Sequence, residues 1–554
     1  MIEARNRVFS SVELKFTRLI PAGLTLLIIS LFLGAPTGGD FYWSDAPRHA
    51  MNGVFIKDFL AAMPWDDPLG FAYSYYAQYP ALTILFYPPL FYVISAPFYA
   101  LKGVSHSTAL FVVMLHYIAF ALGAWRLFSF WFPGWRSVAA TVMLVAAPEI
   151  AFWGRQVMLE IPAFAFLIWS TVCFTRYRRE AQPRMLYWTV VLLTLAIYTK
   201  ISVAFMAPVF AGTLLLERRT ALLKDKHIWI SGLLAVVLLI PLLVLTMKFG
   251  QVNVQSVTGI PDAKVGRDSL SGWVWYLSQM PEQIGWPVCI TALLGLGIAS
   301  LGRSMTTAAH WNGVKGDVLF WFLWALGGYL FFSAIDLKEA RHSVFILPPI
   351  VVIACVMLSR LSVSGCPRFT AMAWIALPLA VLIQTAIFRP VYFVGGYASA
   401  VDFVARNAPR DSRVLFSGYR DGSFTFNMRC REDRRDLGVV RADKLLLNIA
   451  AHRGLGVTEK NISEAELGDQ INHLGIYYVV SQPGFWTDLE AMQRFERLLA
   501  SSQFKEIARF ETPANYKAYE KELVIYQNLG AVSDGKSGMR IDLPIIGKSI
   551  DTTK

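Results

Sequence analysis

Long apolar runs, separated by short polar and basic turns, set the first 390 or so residues apart from the rest of the chain. Runs of spanning length lie at 19–35, 108–125, 137–152, 161–175, 186–199, 201–216, 228–247, 284–301, 318–333, 343–359 and 369–388. At roughly twenty residues per crossing they predict about eleven transmembrane helices. A further run, 82–101, is long enough but contains Pro88, Pro89 and Pro97, which disfavour a straight spanning helix. Leaving it uncrossed also gathers the basic clusters on the N-terminal side. These are Arg5, Arg7, Lys15 and Arg18; Arg126 and Arg136; Arg176, Arg178, Arg179 and Arg184; Arg218, Arg219, Lys224 and Lys226; and Arg360 and Arg368. Basic loops stay cytoplasmic, so 82–101 reads as an interfacial or re-entrant helix on the outer face. A second outer helix is expected after Ser44, which would cap it, with Asp45 in the first turn where the helix dipole favours a carboxylate. Asp45, Arg48, His49 and Asn52 follow a helical stripe, and Met51, Val54, Phe55 and Phe59 form the opposite, apolar one.

From about residue 395 the apolar runs shorten and charge returns. Strands are predicted at Arg413–Ser417, Tyr477–Ser481, Phe504–Phe510 and Leu523–Gln527, and helices at Tyr397–Arg406, Ser463–Leu474 and Leu489–Ser501. This alternation indicates a small α/β domain, and an odd number of crossings places it outside the cell. The expected fold class is a polytopic α-helical membrane protein with interfacial helices and a C-terminal extracytoplasmic α/β domain. The expected division is a transmembrane domain over 1–394 with a first outer loop at 36–107, an α/β domain over 395–530 and a flexible tail over 531–554.

Composition narrows the classes. The chain of 554 residues is 55% hydrophobic, and its net charge of +12 resides in the short clusters that orient the spans. That placement argues against a nucleic-acid partner. The first apolar run lacks a small-residue cleavage site and more spans follow, so no cleaved signal peptide is expected. The five cysteines, Cys173, Cys289, Cys355, Cys366 and Cys430, are scattered and show neither a disulfide framework nor metal-ligand spacing. Asp66-Asp67 reads as a solvated loop rather than a metal pair, and Lys200, in a very short turn, as a side chain snorkelling to the interface.

Charged residues at a bilayer are costly and usually carry function. The predicted topology places Asp45, Glu160, Lys338, Arg341 and His342 on one outer face. Glu160 opens a span in Arg155-Gln156-Val157-Met158-Leu159-Glu160-Ile161-Pro162, where it would pair with Arg155 or bind substrate. Lys338-Glu339-Ala340-Arg341-His342 fills a short loop. Sugar transfer from a lipid phosphate suits such a set. The leaving phosphate needs cations more than a proton donor, and arginine offers bidentate contact. The attacking hydroxyl needs a carboxylate within hydrogen-bond reach, and an aspartate beside Arg48 stays ionised. Tyr42, Trp43 and Tyr87 would stack on a sugar or border the lipid.

These residues, in this order, resemble the GT-C-fold polyprenyl-phosphate-dependent glycosyltransferases, above all the lipid A aminoarabinose transferases and the protein O-mannosyltransferases. The motifs are Asp45-Ala46-Pro47-Arg48 after the first span, then Pro88-Pro89-Leu90-Phe91-Tyr92, Glu160-Ile161-Pro162, Thr199-Lys200 and the basic loop from Lys338 to Arg341. The likeness covers roughly residues 19–390. It implies Asp45 as catalytic base, Glu160 as acceptor- or sugar-binding carboxylate, and Lys338 and Arg341 as phosphate ligands, with Arg48, His49, Tyr87, Arg155 and His342 as further substrate-binding candidates. Three positions depart from the family: Ala46 where a second acidic residue is frequent, Tyr87 where the aminoarabinose transferases carry a lysine, and Glu160 where aspartate is commoner. No protein metal ligand is assigned, and a divalent cation is left open. The implied function is inverting transfer of a sugar to an acceptor hydroxyl on the outer face of the inner membrane, with the N-terminus cytoplasmic. The donor would be a polyprenyl-phosphate sugar, and the acceptor a glycan, lipid or protein. A flippase for a lipid-linked saccharide and a non-enzymatic envelope assembly protein are the alternatives. The first would favour charges near the midplane and inverted repeats, neither of which is visible.

Overall fold

The computed structural model describes residues 18–35, 40–84, 86–218, 221, 224–258, 265–300, 316–361, 367–449, 453, 456–530, 540–543 and 548–551. Arg5, Arg7, Lys15, Arg219 and Cys366, named above, lie outside the described residues. The chain divides into two compact units. One comprises residues 1–35, 113–246 and 262–391, and the other residues 36–112, 247–261 and 392–554.

The first unit is helical. Among the described residues, five helices are long and apolar enough to cross a membrane: His106–Phe128 (which begins in the second unit), Ile201–Arg218, Lys226–Gly250, Ala340–Arg360 and Arg368–Phe388. Shorter apolar helices lie at Arg18–Phe32, Trp135–Val145, Trp286–Gly297 and Asp317–Ser333. The run at 137–152 is broken into Trp135–Val145 and Pro148–Trp153, because Pro148 starts a new helix at its first position. Leu270–Ile284, an amphipathic helix capped by Ser269, precedes the predicted span at 284–301 and was not expected. Its turn-like neighbours hid it. Lys226–Val257 and Pro367–Phe388 carry many exposed large apolar side chains, among them Leu233, Val236, Leu243, Ile375, Leu379 and Ile387, a surface suited to lipid.

The basic end of the Glu160–Glu180 helix is neutralised within the fold. Arg178 pairs with Asp317 at 3.0 Å and with Glu217, Arg179 reaches Asp317 at 3.2 Å, and the Trp131 indole donates to Asp317 at 2.8 Å. Arg178 and Asp317 are both buried, so these arginines join helix ends as well as biasing orientation.

The second unit contains Asp45–Ala62, an unforeseen helix at Pro68–Gln78, and Leu90–Lys102. Leu90–Lys102, with 13 residues, is too short to span. Asp67 accepts a hydrogen bond from the Gly70 amide at 2.8 Å, so it is a helix cap rather than a loop residue. The C-terminal part forms a mixed five-stranded sheet in the order Gly438–Arg441, Arg413–Ser417, Ile476–Ser481, Glu522–Asn528, Phe504–Glu511. The first three strands run parallel and the last two pairings are antiparallel. All four predicted strands are present to within about a residue at each end. The helix Asp421–Cys430 and the edge strand Gly438–Arg441 were missed, since neither carries a clear periodicity. Within the tail, Arg540–Leu543 pairs antiparallel with Lys548–Asp551.

Candidate active site

In the first unit, two successive helices, Glu160–Glu180 and Pro183–Thr199, pack as a hairpin, with Ser170 donating to the Thr189 carbonyl at 2.8 Å. The end of the second helix thereby returns beside the start of the first. Lys200, in extended backbone just past Thr199, donates to Glu160 Oε1 at 2.9 Å. Lys200 is therefore not a side chain reaching for the interface, and Glu160 does not pair with Arg155. The 3-10 turn Ala340–Ile346 adds Arg341, whose Nε lies 3.9 Å from the same Glu160 oxygen. Arg341 also hydrogen-bonds Glu339 and lies over the Trp153 ring, 5.5 Å from its centroid. Glu160 is fully buried, and its Oε2 has no hydrogen-bond partner among the described residues. A buried carboxylate oxygen without a partner is expensive unless a ligand supplies one.

The other candidates of this unit are placed as follows. Arg155 donates to the carbonyls of Ala151 at 2.7 Å and Arg389 at 3.1 Å, and Arg389 in turn pairs with Glu149 at 2.6 Å. Lys338 directs its amine at the carbonyls of Phe332, Ser333 and Ile335, closing the C-terminal end of the Asp317–Ser333 helix. A phosphate would compete with those carbonyls for it. Burial lowers the Lys338 pKa while Asp336 opposes the shift. His342 Nε2 lies 3.9 Å from Glu339.

In the second unit, Ser44 does not cap its helix through the side chain; Arg48 instead donates to the Ser44 carbonyl. Asp45 occupies the first turn, half-buried. The stripe expected to line a polar cavity is largely engaged. Arg48 holds Asp421 through both carboxylate oxygens, at 3.2 and 3.1 Å, and Asp421 also binds Arg441 at 2.7 Å. His49 Nδ1 is 2.9 Å from the Tyr92 hydroxyl, with the Tyr87 ring edge-on at 4.7 Å. Asn52 exchanges two hydrogen bonds with Thr83. Burial raises the Tyr92 phenol's pKa, Asn52 opposes this, and the Asp45 carboxylate adds to the rise, so Asp45 lies within electrostatic reach of Tyr92. Further along the helix, Asp58 is gripped by Arg429 at 2.7 and 2.8 Å and receives the Tyr75 hydroxyl at 2.9 Å. Among the described residues no group of three or more His, Cys, Asp or Glu gathers as a metal site.

Comparison with known proteins places this architecture. The family described as dolichyl-phosphate-mannose-protein mannosyltransferase matches residues 87–245. ArnT from Cupriavidus metallidurans, solved bound to undecaprenyl phosphate, superposes with a TM-score of 0.58 at 13% identity over 93% of this chain and 98% of its own. The arabinofuranosyltransferase AftD from Mycobacteria gives 0.53 at 15% identity over 94% of this chain and 40% of its own. The oligosaccharyltransferase AglB from Archaeoglobus fulgidus, in complex with an inhibitory peptide and a dolichol-phosphate, gives 0.51 at 10% identity over 84% and 70%. No curated protein sequence matches. The resemblance to GT-C glycosyltransferases is borne out in the fold and over the matched segment. The fold is theirs, a polytopic membrane architecture, and the family match falls on the segment from Tyr87 through Glu160 and Lys200.

Proposed function

We propose that the protein is an inner-membrane glycosyltransferase that moves a sugar from a polyprenyl-phosphate donor to an acceptor hydroxyl on the outer face, with the N-terminus cytoplasmic and the α/β domain extracytoplasmic. Asp45 takes the acceptor proton as the acceptor oxygen bonds to the anomeric carbon. The bond from that carbon to the phosphate oxygen breaks on the opposite face, inverting the centre and releasing polyprenyl phosphate. Arg341, with Lys338, stabilises the departing phosphate, which gains negative charge as the bond breaks. Glu160, fixed by Lys200 and Arg341, orients sugar or acceptor through its second oxygen.

What supports this reading most is the buried Glu160 with one oxygen spare and two cations on the other, carried on a GT-C fold. The test uses full-length protein in liposomes with a panel of polyprenyl-phosphate sugars and envelope extracts, and follows released polyprenyl phosphate. Asp45→Asn should lose transfer by about 10²- to 10⁴-fold at unchanged melting temperature. Wild-type turnover in that variant would overturn the scheme. Movement of lipid-linked sugar across the bilayer without transfer would favour the flippase alternative.

A further inference from the structure

The loop 512–521 joins the two antiparallel strands Phe504–Glu511 and Glu522–Asn528 and carries the most exposed ring of the α/β domain. Among the described residues of 395–530, the exposed large apolar side chains are Tyr516, Tyr519 and Leu529, with Tyr519 84% and Tyr516 44% exposed. Leu529 stands alone, past the far end of Glu522–Asn528. The two tyrosines instead alternate with exposed lysines, Lys517 and Lys521. Glu520 is buried in its pair with Arg420, so the exposed charges within 512–521 are both positive. The nearest carboxylates outside it, Glu511 and Glu522, belong to the flanking strands, and Glu522 pairs with Arg509 at 2.8 Å.

This loop is pinned to the stretch of chain that follows the last apolar helix. Tyr392 and Tyr516 stack face to face with centroids 3.8 Å apart. The Phe393 amide donates to the Asn515 side chain and the Gly395 amide to the Pro513 carbonyl, each at 2.9 Å. Val394 bridges to Ala514 on one side and to Asp40 on the other, and the Tyr42 hydroxyl donates to the Lys517 carbonyl. Tyr392 lies four positions beyond Phe388, which ends the helix Pro367–Phe388 and is exposed together with Ile387. Four extended residues reach at most about 14 Å. The stacked tyrosines are thereby tethered to the level at which that helix would leave hydrocarbon. Tyrosine at this level buries its ring and keeps its hydroxyl wet, and a lysine stem carries its amine to lipid phosphate. A stable protein partner would need about 800 Å² on each side, far more than two rings and two lysine stems offer.

We infer that the loop 512–521 is a membrane-contact element of the α/β domain. Tyr516 and Tyr519 seat in the headgroup layer of the bilayer that the chain itself spans, and Lys517 and Lys521 bind anionic lipid phosphates there. The inference goes beyond sugar transfer, and its test needs no sugar donor. Full-length protein carrying p-benzoylphenylalanine in place of Tyr519 is placed in nanodiscs of phosphatidylcholine with or without phosphatidylglycerol, irradiated, and searched for lipid adducts by mass spectrometry. The comparison position is Ser502, which is exposed and precedes the other end of the strand Phe504–Glu511. The length of that strand sets it roughly 25 Å from the loop. A phospholipid adduct should form at 519 and not at 502, with a higher yield when phosphatidylglycerol is present. Lys517→Glu combined with Lys521→Glu should cut the phosphatidylglycerol adduct about tenfold, at unchanged melting temperature because both lysines are exposed. The inference is overturned if 519 yields no more lipid adduct than 502, or if its adducts are to protein or glycan instead. It is equally overturned if the yield ignores both phosphatidylglycerol and the charge reversal.

Discussion

Two charged groups in this molecule use the same residue types to opposite ends. Around Asp58 both carboxylate oxygens are taken, by Arg429 and Tyr75, and the buried Arg429 also reaches Glu432. Around Glu160 one oxygen takes Lys200 and Arg341 and the other takes no hydrogen bond among the described residues. A fully satisfied network holds shape, and losing one member leaves an uncompensated charge. A partly satisfied one keeps bonding capacity for something that arrives. On the proposed reading, the first pattern serves as scaffold and the second as part of the site.

That contrast can be broken by substitution. The largest effect is expected at the scaffold, where Arg429→Ala removes the nearest and most buried of the cations on Asp58, leaving Lys57 at 3.3 Å and Arg435 at 3.5 Å, and should cost about 3 kcal/mol, read as a lower melting temperature. Replacing both partners by apolar residues of similar volume should recover most of it. At the site the balance should invert. Arg341→Ala should slow transfer by about 10²- to 10³-fold with little change in melting temperature, and a loss of stability matching that of Arg429→Ala would erase the distinction. A third probe is pH. Asp40 accepts from the Tyr397 and Ala398 amides and from Asn427, yet burial pushes its pKa up to about 6. Asp40 thus binds its proton more tightly folded than unfolded. Its contribution is greatest below about pH 4, falls by roughly 2–3 kcal/mol as pH rises to about 6, and is flat above. Asp40→Asn should remove that slope from melting temperatures measured across the range. The smallest effect is expected at Arg48→Ala, about 1 kcal/mol, because Asp421 keeps Arg441.

Much of this was legible in the order of residues. Short apolar runs marked Arg413–Ser417 and Glu522–Asn528, whose central residues are buried one after another rather than in alternation, and apolar length marked His106–Phe128. The segment 82–101 holds a 13-residue helix, Leu90–Lys102, that starts just after Pro89 and carries Pro97 within it. Helices such as Pro68–Gln78 and Leu270–Ile284 were hidden because turn-forming residues and amphipathic segments share a composition. For the charged residues, the chemistry was readable but the pairing was not. Glu160 sits five positions from Arg155 and forty from Lys200, and only the helical hairpin decides in favour of the distant partner. Likewise Arg48 was expected either to orient Asp45 or to touch substrate, and its partner Asp421, 373 positions away, could not be read from the sequence.

The Asp45–Ala62 helix is clasped at both ends by the Asp421–Cys430 helix, through Arg48 on Asp421 and, with the charges reversed, Asp58 on Arg429. Beside the first of these contacts, Pro47 lies so close to Gly422 that a Cβ there would meet the proline ring at 2.8 Å. A chain cut at residue 394 would strip Asp58 of both its guanidinium partners, Arg429 and Arg435, and leave the segment bearing Asp45 without its mate. The loop and the α/β region must therefore be inherited together, and a chimera exchanging one alone between relatives should fail unless the matching helix travels with it.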